Sequence, residues 1–99
     1  MRFVKMSYDS AERLAQVMQA LSSPGRLIIL ARLDEGPCSV STLVEESGMA
    51  QATVSNHLRI LRHLNLVFGT REGRQVIYSL HDEHVREFLE QAVGHIGHD

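Results

Sequence analysis

The stretch AQATVSNHLRILRHLNL, residues 50–66, decides how the rest of the chain is read. Val54, Leu58, Leu61 and Leu64 recur at i, i+4, i+7 and i+10, the spacing that lines one face of an α-helix. The opposite face offers Gln51, Thr53, Ser55, Asn56, Arg59 and Arg62, side chains of the types that hydrogen-bond base edges. Just upstream, SVSTLVEESG (residues 39–48) predicts a short helix, with Ser39 or Ser41 as its cap, Leu43 and Val44 pointing inward and Gly48 supplying a tight turn. Two helices joined by a short glycine-bearing turn, the second polar on its outer face, form a helix-turn-helix. A second helix of that kind fits the major groove of double-stranded DNA.

Outward from this pair, LVFGTREGRQVIYSL (residues 66–80) reads as two short strands around an Arg-Glu-Gly-Arg turn. Arg71 and Arg74 give it the charge of a wing that reaches along the DNA backbone or into the minor groove. Residues Tyr8–Leu21 place Leu14, Val17, Met18 and Leu21 on one helical face. SSPGRLIILARLDEG (residues 22–36) opens with a serine cap and an early proline. Leu27, Ile28, Leu30, Ala31 and Leu33 predict that this helix is largely buried, and Gly36-Pro37 ends it. A last helix starts near Asp82 and packs Val85, Phe88, Leu89, Ala92, Val93 and Ile96. The expected fold is mainly α (an α+β winged helix): a helix-turn-helix with a two-stranded β wing and a C-terminal dimerisation helix. It forms one domain over residues 1–99, with the helix-turn-helix at 39–64, the wing at 66–80 and the last helix at 82–97.

The totals agree with this reading. Ninety-nine residues suit one domain with a modest core, to which a helical dimer would add. With 43% hydrophobic and 22% charged residues the chain has an ordinary soluble composition. No apolar run approaches the ~20 residues of a membrane span, and no secretory signal is visible, so no membrane partner is expected. The single cysteine, Cys38, excludes an internal disulfide and suits a reducing cytoplasm, the expected location. The net charge of −2 hides an asymmetry. Met49–Arg74 carries four arginines against Glu72, a net +3, whereas His81–Asp99 sets Arg86 against five acidic residues, a net −4. A basic centre suits phosphate and an acidic end suits a cation. No phosphate loop or nucleophile arrangement is present, so neither an enzyme nor an organic cofactor is expected.

Three stretches, LSSPGRLIIL (21–30), MAQATVSNHLRILRHLNLV (49–67) and REGRQVIYSLHDEHV (71–85), resemble the ArsR/SmtB family of bacterial winged-helix metal-sensing repressors. The resemblance runs from about Ala15 to His98. It implies a homodimer built on the first and last helices, bound to a palindromic operator beside metal-resistance or efflux genes. By position in the recognition helix, Gln51, Ala52, Thr53, Ser55, Asn56 and His57 match the places where the family meets DNA; Arg59, Arg71 and Arg74 complete the expected set. His57 and His63 are read as packing or hydrogen-bonding histidines rather than metal ligands, with His57 also within reach of a phosphate.

Four of the six histidines, His81, His84, His95 and His98, fall in HDEHVREFLEQAVGHIGHD, residues 81–99. His84 and His95 are eleven residues apart, about 1100° of helical turn, so they share a face that His98 stays near. Along the axis, however, eleven residues span about 16 Å, and zinc ligands lie about 2 Å from the ion. A second, antiparallel copy removes the conflict by setting Asp82 and His84 beside His95 and His98 of the partner subunit. Two-fold symmetry makes two equal sites, each with three imidazoles and a carboxylate, a set suited to tetrahedral Zn2+ or Co2+. On spacing alone, histidines at a solvated helix end that favour the helix dipole remain an alternative.

The resemblance adds that Asp82-x-His84, ten intervening residues and His95-x-x-His98 match the family's zinc-sensing motif at all four positions. His81 lies outside it and is read as a surface residue. The family's thiolate site needs Cys-x-Cys, but here Val40 follows Cys38 at that spacing, so Cys38 is read as a small core or surface residue. Nickel sensors of the family draw further ligands from histidine-bearing extensions. The first ten residues hold no histidine and one residue follows His98. Zn2+ is therefore the expected inducer, with Co2+ or Ni2+ as the alternatives. A winged-helix DNA binder whose dimer site is structural is the competing class; a metal carrier leaves the wing unexplained. The resemblance also implies a coupling route, from His95 to a backbone carbonyl just after the recognition helix, by position about Asn65.

Overall fold

Side-chain caps set where most of the helices begin. In the computed structural model, which describes residues 5–97, Ser7 accepts from the Ser10 N–H and opens α1, Tyr8–Leu21. Ser23 accepts from the Arg26 N–H and, with Pro24 at the first helical position, opens α2, Pro24–Glu35. The two-residue β1, Cys38–Ser39, precedes α3, Val40–Ser47, whose cap is Ser39 accepting from the Thr42 N–H at 3.2 Å. Gly48 closes α3 at φ 75°, the left-handed conformation that the turn requires. α4 follows as Gln51–His63, then β2, Val67–Glu72, β3, Gln75–Leu80, and α5, Glu83–Ile96, capped by Asp82. α4 starts at Ala50 with no side-chain cap, which leaves its first-turn N–H groups open at the surface.

The sheet has three strands in the order β1-β3-β2, all antiparallel. The two-stranded wing forms as expected from β2 and β3, and β1 adds a third strand to it: Cys38 pairs with Tyr78 and Ser39 with Ile77. Two residues carry no readable period, so only the pairing itself reveals the strand. The same pairing places Cys38 in the core and ties the start of the helix-turn-helix to the wing. The wing's turn is shorter than expected. Arg71 and Glu72 belong to β2, and Gly73, at φ 64°, opens a two-residue turn with Arg74 beside it at the tip.

The core gathers Ile29, Leu30 and Leu33 from α2, Leu43 from α3, Val54, Leu58 and Leu61 from α4, Leu66, Val67, Leu80, and Leu89 from α5. α4 therefore presents the face that the spacing predicts. α2 does not. Leu27, Ile28 and Ala31 are exposed, Ile28 at 53%, whereas Ile29 is fully buried. An unbroken Leu-Ile-Ile-Leu-Ala run has no period of its own, and the neighbouring helices choose which face is covered. α5 departs in the same way: Leu89 is buried and Val85 half-buried, but Phe88, Ala92, Val93 and Ile96 are exposed, Ile96 at 78%. Leu14 and Met18 of α1 are exposed beside them and, with Phe88 and Leu89, line one apolar groove between α1 and α5. Arg86 fixes α5 on the other side by donating to the carbonyl and carboxylate of Asp34 at the end of α2.

Candidate metal centre and nucleic-acid interface

Asp82 joins two tasks at the start of α5. Its Oδ1 caps the helix by accepting from the Val85 N–H at 3.1 Å, and the same oxygen lies 3.7 Å from Nδ1 of His84. Its Oδ2 accepts from Nδ1–H of His81 at 3.0 Å. The His81 hydrogen bond, followed by the Val85 N–H, holds the Asp82 carboxyl below its ordinary range, so it is ionised at neutral pH. His84 is almost wholly open to solvent, with 93% of its side chain exposed, and borders the apolar groove between α1 and α5.

His95 lies on the same helix, in its last turn. α5 is one unbroken helix from Glu83 to Ile96, so the two ends stand about 16 Å apart along the axis. Among the described residues of one protomer, no three histidine, cysteine, aspartate or glutamate side chains come together around a point that would hold a metal ion. His98 lies outside the described residues. The donor set nevertheless fits a small divalent cation: an ionised carboxylate and an exposed imidazole sit side by side at one end, with a second exposed imidazole at the other. His81 is exposed, as expected, yet it is engaged with Asp82, a contact that no spacing rule signals.

The face of α4 expected to meet DNA is open to solvent. Gln51, Ala52, Thr53, Ser55, Asn56 and Arg59 are all exposed, as are Arg71 and Arg74 on the wing. Arg59 donates to the Asn56 side chain one turn earlier, and Arg59, Arg62 and His63 line a polar groove at the end of the helix. His57 is placed differently. It is half-buried against α2, and its Nδ1 accepts from Nε–H of Arg26 at 3.3 Å. Burial, and then the Arg26 charge, lower its pKa, so the ring is neutral at pH 7. Arg26 also donates to the Ala20 carbonyl at 3.0 Å and so binds the end of α1 to the recognition helix. Sequence reasoning missed this arginine, because the contact spans 31 positions.

Asn65 sits where α4 ends, at φ 59°. Its N–H donates to the Arg62 carbonyl at 3.0 Å, and the Leu66 N–H donates to the Leu61 carbonyl at 2.9 Å. These are the two bonds of a Schellman cap, with buried Leu61 and Leu66 as its apolar pair. Within one protomer, among the described residues, His95 makes no hydrogen bond with Asn65. The contact on this segment comes instead from the His81 N–H, which donates to the Leu66 carbonyl at 3.0 Å.

A polar, solvent-facing second helix backed by a basic antiparallel wing defines a winged helix-turn-helix protein, a DNA-binding architecture. Residues 23–67 match the family described as bacterial regulatory protein, arsR family. The chain is 47% identical over 90 residues to the transcriptional regulator NmtR of Mycobacterium tuberculosis, covering 91% of this chain and 75% of that one. It is 41% identical to a homologue of the cadmium resistance transcriptional regulatory protein CadC of Staphylococcus aureus, over 83% of this chain and 69% of that one. Its fold matches the homodimeric winged helix-turn-helix DNA-binding domain of Mb0332 from Mycobacterium bovis, with a TM-score of 0.80 and 29% identity over 91% of this chain and 86% of that one. The chain belongs to the ArsR family of bacterial regulatory proteins. It is a transcriptional regulator and not an enzyme.

Proposed function

We propose that the protein is a homodimeric, metal-responsive repressor that holds a palindromic operator when metal-free and releases it when Zn2+ binds between the subunits. The observation that carries this reading is the placement of Asp82 and His84 at one end of an unbroken helix whose other end carries His95. A shared site needs two antiparallel copies of that helix, and α1 and α5 expose Leu14, Met18, Phe88, Val93 and Ile96 for such pairing. The homodimeric state of Mb0332 supports a dimer here as well. Asp82 and His84 of one protomer, with His95 and His98 of the partner subunit, would hold the ion. Four nitrogen and oxygen donors favour Zn2+, with Co2+ or Ni2+ as alternative inducers.

When bound, the metal cross-links the two α5 helices and so biases the dimer toward one shape. The recognition faces, Gln51, Ala52, Thr53, Ser55, Asn56 and Arg59, must meet half-sites about 34 Å apart, so a change in dimer shape weakens both half-sites at once. Arg71 and Arg74 contribute phosphate contacts. A coupling of ~1–3 kcal/mol is typical of one ligand, so two equal sites acting on one dimer give ~2–6 kcal/mol, which reaches the ~5 kcal/mol of a decisive switch when each site couples near the upper end of that range. The proposed route runs through the segment after α4, with His95 and the carbonyl of Asn65 as one link.

The test begins with metal-free protein and a pool of random-sequence duplex DNA. An inverted repeat should be selected, and fluorescence anisotropy on that duplex should show release by zinc at lower free concentration than by cobalt or nickel. Selection of an inverted repeat whose affinity no metal changes would leave a winged-helix DNA binder with a structural dimer site.

A further inference from the structure

His81 does two things at once. Its ring donates from Nδ1–H to Oδ2 of Asp82 at 3.0 Å, while its backbone N–H donates to the Leu66 carbonyl at 3.0 Å. Leu66 is the residue whose own N–H closes the cap of α4 on Leu61 at 2.9 Å. Three successive hydrogen bonds therefore connect the Asp82 carboxylate to the last turn of the recognition helix within a single protomer. The ring is also steadied by an edge-on contact with Phe68 of β2, with centroids 6.5 Å apart at 87°. Of the two Asp82 oxygens, the one His81 holds is Oδ2, which leaves Oδ1 on the side of His84.

We propose that His81 is a positioning residue for the Asp82 carboxylate and a second joint, beside the His95–Asn65 link, through which metal capture reaches the recognition helix. This rests on the reading that Asp82 and His84 hold the metal. Oδ1 caps the helix through the Val85 N–H and keeps a second lone pair for a cation, so the carboxylate is oriented by the His81 donor on its other oxygen; loss of such an outer partner typically costs 10–100-fold in metal affinity. Because the same residue grips Leu66 through its backbone, a shift of the carboxylate on metal binding moves the chain at the His81–Leu66 bond rather than dissipating in solvent. The inferred path stays within one protomer and needs no contact from the partner.

The test compares full-length wild-type protein with His81→Phe, His81→Leu and His81→Asn. Phenylalanine keeps the aromatic contact with Phe68 and removes the donor; leucine removes both; asparagine keeps an N–H donor at the δ position. Zinc affinity is measured by chelator competition, the cobalt site by its visible spectrum, and operator affinity with and without zinc. Loss of the donor should weaken zinc binding ~10-fold or more and reduce by a similar factor the loss of operator affinity that zinc causes. Operator affinity of the metal-free protein should stay within about twofold of wild type, and asparagine should restore both losses.

Wild-type zinc affinity and release in His81→Phe would overturn the proposal. So would equal losses in His81→Asn and His81→Phe, since the donor would then be irrelevant. If His81→Phe failed to fold, His81→Leu against His81→Asn decides the same question. His84→Ala run in parallel separates the two levels. A zinc response that survives it overturns the metal-site reading and His81's role with it. A response lost in His84→Ala but intact in His81→Phe overturns the role of His81 alone.

Discussion

The proposed shared metal site makes a prediction about mixed dimers that no single-chain site can imitate. Consider one protein carrying His84→Ala and another carrying His95→Ala. α5 is continuous between these positions, so they stand about 16 Å apart along the axis. Two ligand atoms on one zinc ion lie within about 4 Å of each other, which leaves about 12 Å that no side-chain rotation closes. Each variant alone forms dimers in which both sites lack a ligand, so each should lose zinc affinity by more than the ~10–100-fold that outer contacts contribute.

Unfolded together in equal amounts and refolded, the two chains associate at random, and half of the dimers are mixed. In a mixed dimer one site lacks both histidines and the other lacks neither. Zinc titration against a competing chelator should therefore recover about one quarter of the wild-type number of tight sites, at wild-type affinity. A site within one chain predicts no recovery, because every chain is missing a ligand. Failure to recover any tight sites, with mixed dimers shown to be present, would refute the head-to-tail arrangement of α5.

Arg71→Ala and Arg74→Ala, exposed on the wing and proposed to meet phosphates, should each weaken operator binding roughly equally for all sequences and lower the slope of log affinity against log salt by about 0.9; an unchanged slope removes that residue from the interface. Gly25→Ala should destabilise the fold by about 1–3 kcal/mol in urea unfolding, because an added Cβ would lie 2.8 Å from Nε2 of His57, whose ring is held by Arg26; wild-type stability would show that the ring moves freely. His57 also gives a pH dependence: its folded pKa is lowered by burial and then by Arg26, so below about pH 6.5 the unfolded chain takes up protons that the folded one refuses. Melting temperature should fall as the pH drops through that range, and less so in His57→Asn. Asp82, shifted down by His81 and the Val85 N–H, contributes stability only above the ordinary carboxylate range, so its loss belongs to pH values below about 4 and does not overlap.

Local chemistry alone determined most of the framework. Caps at Ser23, Ser39 and Asp82, the proline at the start of α2, the glycine after α3 and the 3.6-residue period of Val54, Leu58 and Leu61 are each interactions within a few residues, so spacing reveals them. The eleven-residue interval from His84 to His95 likewise carries its own consequence, because helix rise per residue is a constant. Tertiary structure alone decided what depends on distant partners. The LIILA run of α2 could bury any face, and packing against α3 and α4 selected Ile29, Leu30 and Leu33. The apolar stripes of α1 and α5 do not cover each other completely, so the groove between them stays exposed. The bonds from Arg26 to His57 and from His81 to Leu66 span 31 and 15 positions, beyond the reach of any periodic signal. A hydrogen bond between remote residues leaves no period in the chain; it exists only once the backbone has brought donor and acceptor within about 3 Å.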